Sequence, residues 1–301
     1  MYREVSFKSE RNSCAGRLYV PEKKIRNGAA IVLAHGLSGT MDSRLFEYAD
    51  YFRSLGFYAL VFDYRFFGSS EGEPRQFLSV PKQKADWKAA IEMVRGLDDV
   101  DAHRVGLFGS SFSGGHVIHL ALEDPEIRAV TAQCPLIDSY ATMQLAVQYR
   151  SPKQAKQLQS LILLDWFRGL VGLPTITIKS ALESPSDESL AVLASPEAHE
   201  FFNVGGPNWV NAIAARSFIS GKLSTNDPSR LVDDLRTPTL LQICDKDLTV
   251  DNESIKTFAR RAGPIAEVEH YDCGHFEIYL PPFFKKAVSD AGNFFERHLI
   301  G

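Results

Sequence analysis

The sequence predicts an α/β fold: a doubly wound, mostly parallel sheet with an inserted helical cap. Three observations lead there. First, AAIVLAHG (Ala29–Gly36), FYALVFDY (Phe57–Tyr64), RVGLFG (Arg104–Gly109), AVTAQCP (Ala129–Pro135) and TLLQICD (Thr239–Asp245) are short, nearly continuous apolar runs. Such runs suit strands buried on both faces of a parallel sheet. Second, helical stretches (Arg44–Leu55, Lys82–Arg95, Gly114–Leu122) alternate with them, the pattern of crossover connections. Third, roughly a hundred residues separate Pro135 from Thr237, far beyond an ordinary connection of a few residues.

The elements follow in order. Val5, Phe7, Leu18 and Val20 fit two short antiparallel strands joined near Asn12-Ser13. The five apolar runs and their helices then build the sheet domain. AEVEHYD (Ala266–Asp272) and a helix from Pro281 to His298 close it. The core is expected over 1–137 and 236–301, and the cap over 138–235. The cap stretch is rich in aromatic residues (Tyr140, Tyr149, Trp166, Phe167, Phe201, Phe202, Trp209, Phe218), with the apolar Met143 among them, and is punctuated by Gly and Pro. An insertion at the carboxyl edge of such a sheet sits where ligands bind, although a helical layer that only covers the sheet has the same composition.

Composition narrows the function classes. The chain has 301 residues, 45% hydrophobic and 23% charged, with a formal net charge of −4. No dense Lys/Arg run exists to track a phosphate backbone, so no nucleic-acid partner is expected. No run is long enough to span a membrane, and the N-terminus lacks the apolar core of a signal peptide. Cys14, Cys134, Cys244 and Cys273 are scattered without C-x-x-C spacing, which argues against a disulfide framework and for a reducing, cytoplasmic setting. A homodimer is compatible with the sequence.

GLFGSSFSGGH (Gly106–His116) carries the chemistry. A nucleophilic serine is presented on a sharp strand-to-helix turn, usually G-x-S-x-G, whose flanking residues must be small. Ser111 has Gly109 two places before it and Ser113 two places after. Ser113 has Gly115 after it but would move the turn into the helix. Ser110 would be flanked by Phe108 and Phe112. Ser111 fits best, because Ser113 is small enough to stand where glycine usually stands.

With HGLSG (His35–Gly39), DYRFFGSSEG (Asp63–Gly72), DKD (Asp245–Asp247) and GHF (Gly274–Phe276) in the same order, the chain resembles the α/β-hydrolase superfamily over nearly its whole length. GSSFSGG and the later GGPNWVN (Gly205–Asn211) resemble, more narrowly, its microbial esterases and polyketide acyl hydrolases or transferases. The resemblance implies a serine, acid, histidine order. His275 is then the base. Asp247 is the favoured acid, with Asp245 and Asp138 as competitors. It also implies an oxyanion hole from the backbone N–H groups of Leu37 and Phe112.

The other histidines read as structural. His35 holds its loop, His270 lies within a strand, and His116 and His119 lack metal-ligand companions. His199-Glu200 lacks the second histidine of a zinc-protease motif, since position 203 is Asn203. No metal and no cofactor is expected. The expected reaction is cleavage of a small-molecule ester or thioester through an acyl-serine, with Phe66, Trp166 and Trp209 lining a hydrophobic acyl pocket. Arg65 and Arg75 are the isolated cations that could clamp an anionic group. Acyl transfer to an alcohol, a serine peptidase, and a non-catalytic binding protein on this fold are the alternatives.

Overall fold

A computed structural model of the chain describes residues 1–219 and 227–301. Residues 220–226 of the expected cap lie outside the described residues. Strands β1 (Tyr2–Ser9) and β2 (Asn12–Tyr19) form a hairpin. Its turn is Glu10-Arg11, two residues before the expected place, because Glu10 takes the left-handed conformation (φ 52°) that the tight reversal needs. The remaining sheet strands are β3 (Ala30–Ala34), β4 (Tyr58–Phe62), β5 (Val105–Ser110) and β6 (Ile127–Gln133). Strands β7 (Thr177–Ala181), β8 (Ala191–Leu193) and β9 (Ile213–Ala214) belong to the insertion. Then β10 (Thr239–Cys244) and β11 (Ala266–Tyr271) complete the sheet.

The eight-stranded sheet has the order β1-β2-β4-β3-β5-β6-β10-β11. From β4 to β11 every pairing is parallel. Strands β3, β4, β5 and β10 are buried at every residue, which is why they read as unbroken apolar runs. Helices α1 (Leu45–Ser54), α2 (Val80–Arg95) and α3 (Phe112–Glu123) follow β3, β4 and β5. The later helices are α4 (Ser139–Gln148), α5 (Pro152–Leu170), the single turn α6 (Phe201–Val204), α7 (Asn252–Ala262) and α8 (Phe283–Phe295). One apolar cluster, with Trp87, Leu107 and Val130, and a second, with Tyr48, Phe52 and Phe295, make the core.

The chain runs from β3 outward to β4, then returns to the other side of β3 for β5. Strands β3 and β5 therefore flank the switch point of the sheet, with Ala34 opposite Gly109. Ligands of open α/β sheets bind in the crevice beyond the strand carboxyl ends at such a point. The HGLSG loop and the GSSFSGG turn both leave the sheet there.

The insertion between β6 and β10 carries α4, α5 and α6, and also a three-stranded sheet of order β8-β7-β9. Asp165, fully buried on α5, ties its parts together. Its carboxylate accepts from Ile176 N–H at 2.7 Å and pairs with Arg216 at 2.8 Å. No helix among the described residues is long and apolar enough to cross a membrane.

Candidate active site

Ser111 sits between β5 and α3 with φ 56° and ψ −118°. This is a sparsely populated conformation that costs on the order of 1–3 kcal/mol unless its surroundings impose it. They do. Ser111 N–H donates to Gln133 O at 2.8 Å, and its carbonyl accepts from Gly114 N–H and Leu136 N–H, both at 2.9 Å. Glycine is required around it. A Cβ on Gly109 would collide with the Ser113 carbonyl, and one on Gly114 would stand 2.6 Å from the Pro135 Cβ.

The structure brings together Ser111, His275 and Asp247, which lie far apart in sequence. His275 Nε2 is 3.0 Å from Ser111 Oγ, and its Nδ1 is 2.6 Å from Asp247 Oδ2. The other Asp247 oxygen accepts from Thr249 N–H at 2.8 Å and Val250 N–H at 2.9 Å. These bonds fix the carboxylate, which in turn orients the ring so that Nε2 faces Ser111 Oγ. Both side chains are buried, His275 at 3% exposure and Asp247 at 0%. Burial alone would push the imidazole down. The charge and hydrogen bond of Asp247 oppose it, and the balance lies well above the ordinary histidine range.

The competing residues are engaged elsewhere. Asp138 caps α4, accepting from Tyr140 N–H at 2.9 Å and Ala141 N–H at 3.0 Å. Asp245 pairs with His270 at 2.8 Å on the surface. Ser110 Oγ meets Tyr279 Oη and accepts from Gln133 Nε2 at 3.2 Å. Ser113 is fully buried and donates to His35 O at 2.6 Å. Tyr64 Oη accepts from Trp87 Nε1 at 2.6 Å and meets Ser113 Oγ. The donor order is therefore set: Trp87 to Tyr64, Tyr64 to Ser113, Ser113 to the His35 carbonyl. The serine that replaces the usual glycine ties the elbow to the HGLSG loop.

That loop approaches closely. An ideal Cβ on Gly36 would lie 2.7 Å from Ser111 Cβ and 2.9 Å from Ser110 O. His35 Nδ1 accepts from Gly36 N–H at 2.9 Å, and burial pushes its imidazole down to about 4, so it is neutral. Its ring stacks between Phe201 and Tyr279. Leu37 follows directly in the loop. Phe112 is the first residue of α3, where backbone N–H groups lack an intrahelical acceptor and the helix dipole is positive. Gly36→Ala is expected to push this loop away from Ser111 and lower kcat on the order of 10²-fold with little change in KM, the scale of a lost oxyanion donor. Esterase kinetics on the folded variant check this.

The three aromatic residues expected in an acyl pocket lie in different places. Phe66 is buried in the loop after β4 and packs on Phe77. Trp166 lies on α5, 37% exposed, edge-on to Phe167. Trp209 packs on Phe201, which stacks on Phe276 beside His275. Trp209 thus reaches the neighbourhood of His275 through two rings. Both isolated arginines make hydrogen bonds within the fold. Arg65 is buried against Asp86, Glu10 and Ser9, and Arg75 donates to the carbonyls of Gly68 and Ser70.

Two other features lie outside the reading from sequence. Sγ of Cys134 and Cys244 and an Asp247 oxygen lie within 4.8 Å of one another. Both Asp247 oxygens also make hydrogen bonds, with His275, Thr249 and Val250. A cavity of about 520 Å³ lies at the opposite, amino-terminal edge of the strands, lined by His103, Arg104, Glu126, Arg128, His298 and Gly301 among others. None of the Ser111 constellation borders it.

A family model described as "Serine aminopeptidase, S33" (Hydrolase_4) matches residues 26–279. The chain belongs to this family and, with it, to the α/β-hydrolase superfamily, and it is an enzyme of that type. Among curated relatives, it is 36% identical over 299 residues to the quorum-quenching protein AidA of Acinetobacter baumannii (strain MDR-ZJ06), covering 98% of this chain and 94% of that one. It is 36% identical over 139 residues to the thiohydrolase aneE of Aspergillus aculeatus, covering 46% of this chain and 43% of that one. Among solved structures, the α/β hydrolase GrgF from Penicillium sp. sh18 superposes with a TM-score of 0.82 at 20% identity, over 100% of both chains. This last likeness concerns the fold alone.

Proposed function

We propose that the chain is a serine hydrolase that cleaves esters or thioesters of hydrophobic acyl groups. The observation that carries the reading is the 3.0 Å contact of His275 Nε2 with Ser111 Oγ at a strained elbow. Ser111 Oγ attacks the acyl carbon while its proton passes to His275 Nε2. The carbonyl oxygen becomes an oxyanion, held by the N–H groups of Leu37 and Phe112. Asp247 accepts Nδ1–H and stabilises the imidazolium. Collapse expels the alcohol or thiol, which takes the proton from His275 and leaves acyl-Ser111. Water, deprotonated by His275, then releases the acid.

The packing of Trp209 on Phe201, and of Phe201 on Phe276 beside His275, supports an apolar acyl group. A buried methylene contributes up to about 0.8 kcal/mol. Lengthening the acyl group of a p-nitrophenyl ester from two to six carbons is therefore expected to raise kcat/KM by about an order of magnitude or more. A preference for acetyl, or for charged peptides, would sink the hydrophobic-acyl reading. The likeness over the whole chain to a protein named for quorum quenching favours one subclass: small signalling molecules that carry an ester. Alcohol acceptors added to the assay separate the hydrolase from an acyltransferase, because a transferase yields the new ester instead of the free acid.

A further inference from the structure

Among the described residues, Glu197 is a buried acid of the insertion that meets the loops carrying both Asp247 and His275, and no step above uses it. It precedes a short 3-10 turn (Ala198–Glu200) and is 8% exposed. Its Oε1 accepts from Leu248 N–H at 2.7 Å and from the Thr249 hydroxyl at 2.8 Å. Its Oε2 accepts from His275 N–H at 3.0 Å. The Thr249 hydroxyl also accepts from Ser195 Oγ at 3.1 Å. A Cβ on Gly274 would collide with Oε2, so the glycine before His275 is what lets the carboxylate come this close. Thr249 thus gives its N–H to Asp247 and its hydroxyl to Glu197. One turn is held by two carboxylates, and the second also holds the histidine loop.

We propose that Glu197 is a positioning residue that locks the acid turn and the base loop at fixed separation and adds a second negative charge behind the His275 imidazolium. The proposal rests on the assignment of His275 as general base. All three partners of Glu197 donate, so each is satisfied by a carboxylate. A glutamine would turn an NH2 group toward the His275 N–H, donor against donor. Burial raises the Glu197 carboxyl above its ordinary value, with the nearby Asp247 adding to this. His275, the Thr249 hydroxyl and the Leu248 N–H oppose the rise. Tyr149, Glu200 and Glu277 are the other titratable groups around Glu197. Around His275 they are Asp247, Cys134 and His35.

The sign of the pH effect follows. The base works when neutral, so activity rises with pH through the imidazolium pKa. Removing a negative charge lowers that pKa. Glu197→Gln is expected to cut kcat on the order of 10–100-fold with KM nearly unchanged, and to move the rising limb of kcat/KM to lower pH. Glu197→Asp keeps the charge, so its limb should stay at the wild-type position even where kcat falls. If the Gln variant loses activity in parallel with thermal stability and its limb does not move, Glu197 is merely structural and the proposal is overturned. Should the Gln variant not fold, Thr249→Val removes the hydroxyl link to Glu197, together with the one from Ser195, and Ser195→Ala is the control for the latter: a loss of roughly 3–10-fold in kcat at constant KM, the scale of one hydrogen bond, seen in Thr249→Val and not in Ser195→Ala supports the lock, and unchanged kinetics in Thr249→Val or an equal loss in both overturns it. Fluorophosphonate labelling of the wild-type chain checks the serine mechanism separately, so failure of that reading is distinguishable from failure of this one.

Discussion

Ser111→Ala is expected to lower kcat by at least about 10³-fold, within the range for loss of a triad nucleophile. It should also abolish covalent labelling by a fluorophosphonate. The fold should survive, because the hydrogen bonds that hold the elbow run through the Ser111 backbone to Gln133 O, Gly114 and Leu136. Ser113→Ala is the matched control. It breaks the links to the His35 carbonyl and to Tyr64, each of which contributes about 1 kcal/mol as a neutral bond. It should therefore lose about 2 kcal/mol of stability but keep substantial activity and still label. A dead Ser113→Ala beside a labelled Ser111→Ala would reverse the assignment.

Asp247→Asn should cost on the order of 10³–10⁴ in kcat, because an amide no longer fixes the Nδ1–H tautomer of His275. Two controls separate this from loss of any nearby acid. Asp138→Asn alters an N-cap at which Asn is itself favourable, so stability should change by less than about 1 kcal/mol. Asp245→Asn removes an exposed pair with His270, again an effect of about 0–1 kcal/mol. Circular dichroism and kcat measured on all three variants decide it. Comparable losses at Asp245 or Asp138 would contradict the geometry around Asp247 Oδ2.

The sheet was legible because its central strands are buried on both faces. Continuous apolar runs such as Ala30–Ala34 and Tyr58–Phe62 leave little alternative. The elbow was legible for a related reason: Gly109 and Gly114 sit where a Cβ would strike neighbouring backbone or Pro135, so small residues had to appear there. The insertion was harder to read. Strands β8 and β9 have three and two residues, too few for a periodicity to show, and β7 finds its partners only through the tertiary fold. Composition marked Trp166 as aromatic without placing it; in the fold it lies on α5, partly exposed and edge-on to Phe167. Glu197 left no signal either. A glutamate in SPEAHE resembles any surface acid until Leu248, Thr249 and His275 are folded against it. Ser113 was read only as small enough for its place. Its hydroxyl link between the elbow and the His35 carbonyl needs partners that sequence spacing does not bring together.

The central claim is that Ser111 is the nucleophile, activated by His275. It is tested most directly by treating the native wild-type chain with a fluorophosphonate and mapping the adduct by peptide mass spectrometry. The account predicts one stoichiometric adduct on Ser111, absent when the chain is denatured before treatment. An adduct on Ser113, or no adduct in a preparation that still hydrolyses esters, would contradict it.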